Sequence, residues 1–287
     1  MKNHRWSAFG GEANESENKK PVEVKAHVHT FSHPDEHKEF LERLTLGRQF
    51  DLRFRALIHY YGDDIIAYKR KYPTSQKVNE FLRIFSNYLT DYLEDDVPSS
   101  WQECQSTFWE ELIYFFYPHF MKTSIKQRES ISFLSQLKKF VYWLDQRTGC
   151  SWYKEVEKYA ETAREDLQTC ERLLNALYLQ AHPQLHDKNW NPMEDILKMN
   201  EHVQSYSHVV EGIFEVKAVE QHIIIVEEID SGQSFQIVDF PVEKLVPGIL
   251  LDGIMGKMAD DFFWSWQMTL GVYPAKAKAY SKEGSFF

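Results

Sequence analysis

Cysteine is scarce in this 287-residue sequence, and long apolar runs are absent from it. Cys104, Cys150 and Cys170 form neither an even set nor a CxxC pair, which favours a reducing compartment over a disulfide-bonded one. No apolar stretch reaches the ~18 residues that a membrane-spanning helix needs. The first 20 residues are polar and lack the apolar core of a secretory signal. We therefore expect a cytoplasmic protein.

The sequence also lacks the short motifs that mark many catalytic sites. It contains no GxxxxGK(S/T) or GxGxxG loop to hold a phosphate, and no GxSxG turn to present a serine nucleophile. These absences favour a non-enzymatic protein, although catalytic groups can also lie far apart along a chain.

Basic residues are fewer than acidic ones, with 33 Lys and Arg against 43 Asp and Glu and a formal net charge of -10. This balance argues against a protein that coats nucleic acid through bulk charge. Residues 194–230 hold nine acids and two bases, so the acidity is concentrated there. A separate basic set either contacts phosphates or faces an acidic surface, such as the acidic part of the same chain. Its members are Lys122, Lys126, Arg128, Lys138, Lys139 and Arg147.

Hydrophobic periodicity divides the chain into a helical part and a strand-rich part. From residue 34 to residue 181, apolar residues recur at the spacing of amphipathic helices. Thr74 or Ser75, Ser151 and Asn191 are predicted to cap helix starts, and Gly149 is predicted to end a helix. From Gly212 onward the period is two, with turn signals at residues 230–233 and 247–248. The clearest predicted strand has one inward face, formed by Phe262, Trp264, Trp266, Met268 and Leu270. The pattern predicts an α+β protein in which a multi-helix domain precedes a small antiparallel β-barrel of SH3- or OB-like type. A barrel is favoured because closing a small sheet removes its exposed edges.

The same pattern predicts where the domains begin and end. We expect a disordered tail over residues 1–25, a helical domain over 26–181, a barrel over 211–275 and a second tail over 276–287. Residues 182–210 are expected to form a linker and a connecting helix, because they are polar and contain Pro183 and Pro192.

One predicted helix carries an apolar stripe that alternates four and three residues apart. Such a stripe is typical either of a long helix packed on its own domain or of a coiled-coil seam between two copies of the chain. The sequence alone leaves both alternatives open, so an oligomer through this seam is one prediction. The stripe consists of Val156, Ala160, Ala163, Leu167, Cys170, Leu174 and Leu177.

Four histidines near the start of the chain form the candidate metal site. His27 and His29 would share one face of a strand, and His33 and His37 are spaced to share one face of a helix. Neutral imidazoles with a nearby carboxylate suit zinc or a similar ion. Pro34 directly after His33 works against a shared helical face, and the alternative is a polar, histidine-rich loop.

Two stretches resemble known families. Residues 124–149, SIKQRESISFLSQLKKFVYWLDQRTG, are similar to a helix of the SAM-like arm that precedes the catalytic domain of tyrosine recombinases. The resemblance implies DNA contact, but no HxxR motif occurs in this chain, so no catalytic residue is carried over. Helices followed by a barrel that contains LVPGILLD, residues 245–252, also resemble bacterial proteins with a small β-barrel after a helical domain. That resemblance implies a fold and no activity.

Three functional hypotheses follow from the sequence. The first is a non-enzymatic cytoplasmic binding or adaptor protein whose partner is another protein. The second is a nucleic-acid-associated accessory protein that uses the basic set and the barrel. The third is a metal-dependent enzyme built on the four histidines.

Overall fold

A computed structural model describes residues 31–241, 243 and 245–281 of the chain. The predicted tail over residues 1–25 lies outside these ranges, as do His27 and His29. The described residues form two compact units, the first ending at Glu103 and the second beginning at Cys104. Within the described ranges, no helix combines the length and apolar content needed to cross a membrane.

The described part of the first unit is helical. Ser75 caps one helix as its sequence predicts, because its Oγ accepts a hydrogen bond from the Val78 N–H at 3.3 Å. Lys69 is fully buried and donates through Nζ to the Pro73 carbonyl and to Asn79 Oδ1, each at 2.6 Å. The α-helices are α1 Pro34–Gly47, α2 Tyr60–Lys71 and α3 Gln76–Asn87, with 3-10 turns at Arg48–Phe50, Phe54–Ile58, Glu94–Asp96 and Trp101–Glu103 and a π turn at Tyr88–Tyr92.

The second unit begins with helices and ends with a sheet. A continuous helical segment runs through α4, a π turn at Leu112–Phe116 and a short α5, and two long helices and a connecting helix follow it. The connecting helix begins as predicted, since Asn191 Oδ1 accepts the Met193 N–H at 3.2 Å and Pro192 takes the first helical position. The helices are α4 Ser106–Glu111, α5 Tyr117–His119, α6 Glu129–Thr148, α7 Tyr153–Ala181 and α8 Pro192–Gln204.

Helices α6 and α7 cap each other's first turns. Neither helix has a capping side chain at its own N-cap position. The buried carboxylate of Glu171, on α7, instead accepts hydrogen bonds from the Glu129 and Ser130 N–H groups at 2.8 and 3.1 Å. In return, Asp145 of α6 accepts from the N–H groups of Trp152 and Tyr153 at 3.0 and 2.7 Å. Carboxylates at helix N-termini satisfy free donors and favour the helix dipole, so the pair is held as a unit.

The apolar stripe on α7 is buried inside this unit. Its members Val156, Ala163, Leu167 and Cys170 have no exposed surface, and α7 packs against α4, α6 and the sheet. The arrangement is that of a long helix packed on its own domain. An oligomer through the same residues stays a prediction, and it would need these helices to separate.

Five strands, β1 to β5, together form a closed sheet. The pairing order is β1-β2-β3-β5-β4, and β4 pairs back to β1. The pattern of helices followed by a small sheet is therefore confirmed. The strands are β1 His208–Glu220, β2 Ile223–Glu228, β3 Ser234–Val238, β4 Leu250–Lys257 and β5 Trp264–Tyr273, and a 3-10 turn at Ala275–Ala279 follows them.

The expectation that all strands are antiparallel is wrong at one pairing. Strands β3 and β5 run parallel where Ile237 pairs with Trp264 and Val238 with Ser265. The other four pairings are antiparallel. An odd number of strands cannot alternate in direction around a closed ring, so one parallel pair is required.

The prediction of one buried face on β5 is also wrong for its members Phe262, Trp264, Trp266, Met268 and Leu270, since Phe262 is exposed and precedes the strand and Met268 is only partly covered. Both tryptophans are only partly covered, and Leu270 is 37% exposed. The β4–β5 pairing shifts register between Asp252 and Gly253 and again between Ile254 and Met255. Each shift interrupts the alternation of faces, so a period-two pattern in the sequence does not translate into a burial pattern there.

The division into compact units does not test the predicted domain boundaries. Helices α4 to α8 and the closed sheet belong to one unit, whereas the first unit ends at Glu103. Strand β5 packs against α5, α7 and α8. Whether the helical and strand-rich parts separate after cleavage within residues 182–210 stays a prediction.

Candidate binding cleft

The second unit contains a cleft of about 540 Å³. One wall consists of the end of α7, the segment leading to α8, and α8 itself. The other wall belongs to β5 and to the segment that follows β3. The volume lies in the range typical of ligand sites in proteins. The lining includes Tyr178, Gln180, His182, Trp190, Asp195, Lys198, Met199 and His202 on the helical wall and Asp239, Phe240, Trp266, Gln267 and Thr269 on the sheet wall.

Asp195 organises the helical wall. It lies in the first turn of α8, where the capping Asn191 and Pro192 fix the start of the helix. Its Oδ2 accepts a hydrogen bond from Trp190 Nε1 at 2.7 Å and lies 3.2 Å from His182 Nδ1. The hydrogen bond from Trp190, followed by that from His182, lowers the pKa of Asp195 below its ordinary value. The carboxylate thereby holds both rings in place.

Hydrogen bonds also fix the sheet wall and join it to the helices. Trp266 Nε1 donates to Thr269 Oγ1 at 2.8 Å, which fixes the indole ring at the cleft. The Tyr178 hydroxyl, from α7, donates to the Thr269 carbonyl at 3.1 Å. Gln180 Nε2 donates to the Asp239 carbonyl at 2.9 Å. The two walls are therefore connected by direct hydrogen bonds, which preorganise the cleft.

Among the described residues, the polar groups of the cleft that make no hydrogen bond to the protein are mostly acceptors. In the part of the chain that the structure describes, Gln180 Oε1, Gln267 Oε1 and the Asp239 carboxylate accept no hydrogen bond. Both indole N–H groups and the Tyr178 hydroxyl donate to protein atoms. Lys198 is the exposed cation of the lining. The cleft thus presents aromatic side chains and hydrogen-bond acceptors to a ligand, and few donors.

The basic set does not contribute to this cleft. Lys126, Arg128 and Lys139 are exposed, and Arg147 lies over the Trp143 ring at 5.6 Å. Lys138 pairs with Glu161 of α7 at 2.5 Å. The alternative in which the set faces residues 194–230 is therefore wrong for Lys138, because the antiparallel neighbour of α6 supplies the nearer carboxylate. Lys122, the remaining member, is exposed in the loop before α6.

The histidine cluster is described only in part. His33 occupies the N-cap position of α1 without a side-chain capping bond, and the His37 ring contacts Phe31 edge to face at 4.9 Å. In the described ranges, no three His, Cys, Asp or Glu residues are grouped so that they could hold a metal ion. Because His27 and His29 lie outside those ranges, a zinc site of all four histidines stays a prediction.

Sequence reasoning missed the cleft because its walls come from segments that are distant in the chain. The sequence of residues 182–190 is typical of a polar linker, with Trp190 at its end. A tryptophan in a polar linker is the one local signal that could have indicated a binding site, since an aromatic ring there needs a surface to pack on.

Comparisons of this chain with family models, with curated proteins and with solved structures returned no match.

Proposed function

We propose that the chain is a non-enzymatic binding or adaptor protein that captures a segment of a partner protein in the cleft between α7–α8 and β5. The carrying observation is the preorganised aromatic lining, in which the tryptophan donors are already committed to protein acceptors. Rigid aromatic side chains are the usual anchors of protein interfaces because they bury large areas at low entropic cost.

The charge pattern supports a protein partner over a nucleic acid. Residues 194–230, which span most of α8 and all of β1 and β2, hold nine acids against two bases. A local negative field attracts basic segments and repels phosphates. Lys138 is already neutralised by Glu161, so the basic set has one cation fewer to offer a phosphate backbone.

The nucleic-acid hypothesis is retained as a second candidate because of the strand order. We propose that the closed sheet is an OB-like barrel, on the basis of its order β1-β2-β3-β5-β4 and its parallel β3–β5 pair. Barrels of this type frequently bind single-stranded nucleic acids. A salt series with labelled DNA and RNA discriminates the two candidates, since phosphate contacts require a steep loss of affinity as salt rises.

The primary proposal is tested with a displayed library of unstructured peptides. We expect enriched peptides to bind the full chain, and Trp190→Ala to weaken that binding by about tenfold or more, since a central aromatic anchor typically contributes more than ~1.4 kcal/mol. Trp143→Ala is the matched control, because Trp143 is a partly exposed tryptophan of the same unit outside the cleft lining.

A second cleft variant keeps the test interpretable if Trp190→Ala does not fold. Met199→Lys adds a long charged side chain to the helical wall and leaves the hydrogen bonds of Asp195 in place, so it should also block binding. Isothermal titration gives the affinities, and circular dichroism confirms that each variant is folded. Equal affinities of the wild type and both cleft variants would refute the cleft as the binding site.

A further inference from the structure

The lining of the cleft indicates the chemistry of the group that binds there. This inference rests on the proposed function and specifies its ligand. We propose that the cleft recognises an arginine side chain within a basic segment of the partner protein. Aromatic side chains, unused acceptors and negative charge at the cleft favour such a ligand.

Aromatic rings line both walls of the cleft. The Trp190 and Trp266 rings are fixed through their Nε1 donors, and the Tyr178 ring is fixed through its hydroxyl. The His182 ring lies between those of Tyr178 and Trp190, at centroid distances of 6.3 and 6.0 Å. Ring faces carry negative electrostatic potential, and a planar guanidinium is the side chain that stacks on them best.

The unused polar groups are those that a guanidinium requires. Its five N–H donors need several acceptors at once, and it accepts nothing in return. Gln180 Oε1, Gln267 Oε1 and the Asp239 carboxylate supply such acceptors at the cleft. A phosphate or carboxylate ligand would instead need donors, and the indole and tyrosine donors of the lining are already engaged.

The charge of the lining adds to this preference. Asp195 and Asp239 face the cleft with Lys198 as the one exposed lysine of its lining. The backbone of Asp239 has a positive φ of 58°, a conformation that among non-glycine residues only Asn and Asp adopt readily. Asp239→Asn therefore removes the charge without straining the backbone, which makes it a clean test.

The experiment uses the peptides selected against the full chain. We expect them to contain arginine, and replacement of that arginine by citrulline, its uncharged isostere, to weaken binding by about tenfold. Asp239→Asn should weaken binding of the arginine peptide by a similar factor and have little effect on the citrulline peptide, because the two changes remove one interaction. Asp260→Asn, an exposed charge outside the cleft, is the control and should leave both affinities unchanged.

The possible failures are distinguishable. If selected peptides bind and depend on Trp190 but contain no arginine, or tolerate citrulline within about twofold, the arginine proposal is overturned and the cleft remains the binding site. If Asp239→Asn weakens both peptides equally, the carboxylate acts through the structure and not on the guanidinium, and the proposal also fails. If no peptide depends on Trp190, the proposed function itself fails.

Discussion

Replacing Glu171 by alanine is expected to lower the free energy of unfolding by about 3 kcal/mol. The side chain is fully buried and accepts hydrogen bonds from the Glu129 N–H, the Ser130 N–H and the Ser130 hydroxyl, the last at 2.6 Å. Hydrogen bonds to a charged group contribute about 1.5–3 kcal/mol each, and loss of a helix cap alone costs about 0.5–2 kcal/mol. Alanine would leave all three donors without their acceptor at the start of α6.

Urea unfolding of the wild type and the variant measures this loss. Glu165→Ala on the same helix is the matched control, since Glu165 is exposed and its removal should change stability by less than about 0.5 kcal/mol. If Glu171→Ala unfolds within that same margin, the capping of α6 by α7 does not stabilise the fold.

Acidification is expected to destabilise the protein through His119. This side chain of α5 packs beside β5, with Nδ1 3.3 Å from the Tyr273 hydroxyl, which is itself hydrogen-bonded to Asp252 of β4. Burial lowers the pKa of His119 from 6.5 to about 4. Between these two values the unfolded chain binds a proton that the folded chain does not, so stability falls as the pH falls below 6.5.

The expected contribution of His119 is a loss of about 2 kcal/mol between about pH 8 and about pH 5, since each pKa unit corresponds to about 1.4 kcal/mol. Other groups titrate in the same interval, so the comparison is with His119→Gln, which can still hydrogen-bond to Tyr273 but takes up no proton. The variant should lose about 2 kcal/mol less than the wild type over this interval. Parallel stability curves for the two proteins would show that His119 is not buried as a neutral imidazole.

Local sequence signals predicted the parts of the fold that depend on neighbours in the chain. Ser75, Gly149 and Asn191 mark helix ends correctly, because caps act within one turn of the residue that provides them. The prediction that Ser151 caps α7 is wrong. That helix begins at Tyr153, and the carboxylate that caps it comes from Asp145 on the preceding helix.

Features that join distant segments could not be predicted from local sequence patterns. Glu171 caps a helix that begins 42 residues earlier, and nothing in the local pattern distinguishes it from the exposed Glu165. The parallel β3–β5 pair follows from the closure of the sheet and not from either strand alone. The cleft combines Trp190 of the linker with Trp266 of β5, so its two walls come together only in the folded chain.

The most direct test of the central claim, that the cleft binds a basic peptide, is ¹⁹F NMR of the full chain labelled with 5-fluorotryptophan. The spectrum is recorded during titration with a selected arginine peptide, and resonances are assigned by single Trp→Phe variants. We predict dose-dependent shifts of the Trp190 and Trp266 resonances, with those of Trp143 and the fully buried Trp109 unchanged. Saturable peptide binding that leaves the Trp190 and Trp266 resonances in place would contradict the account.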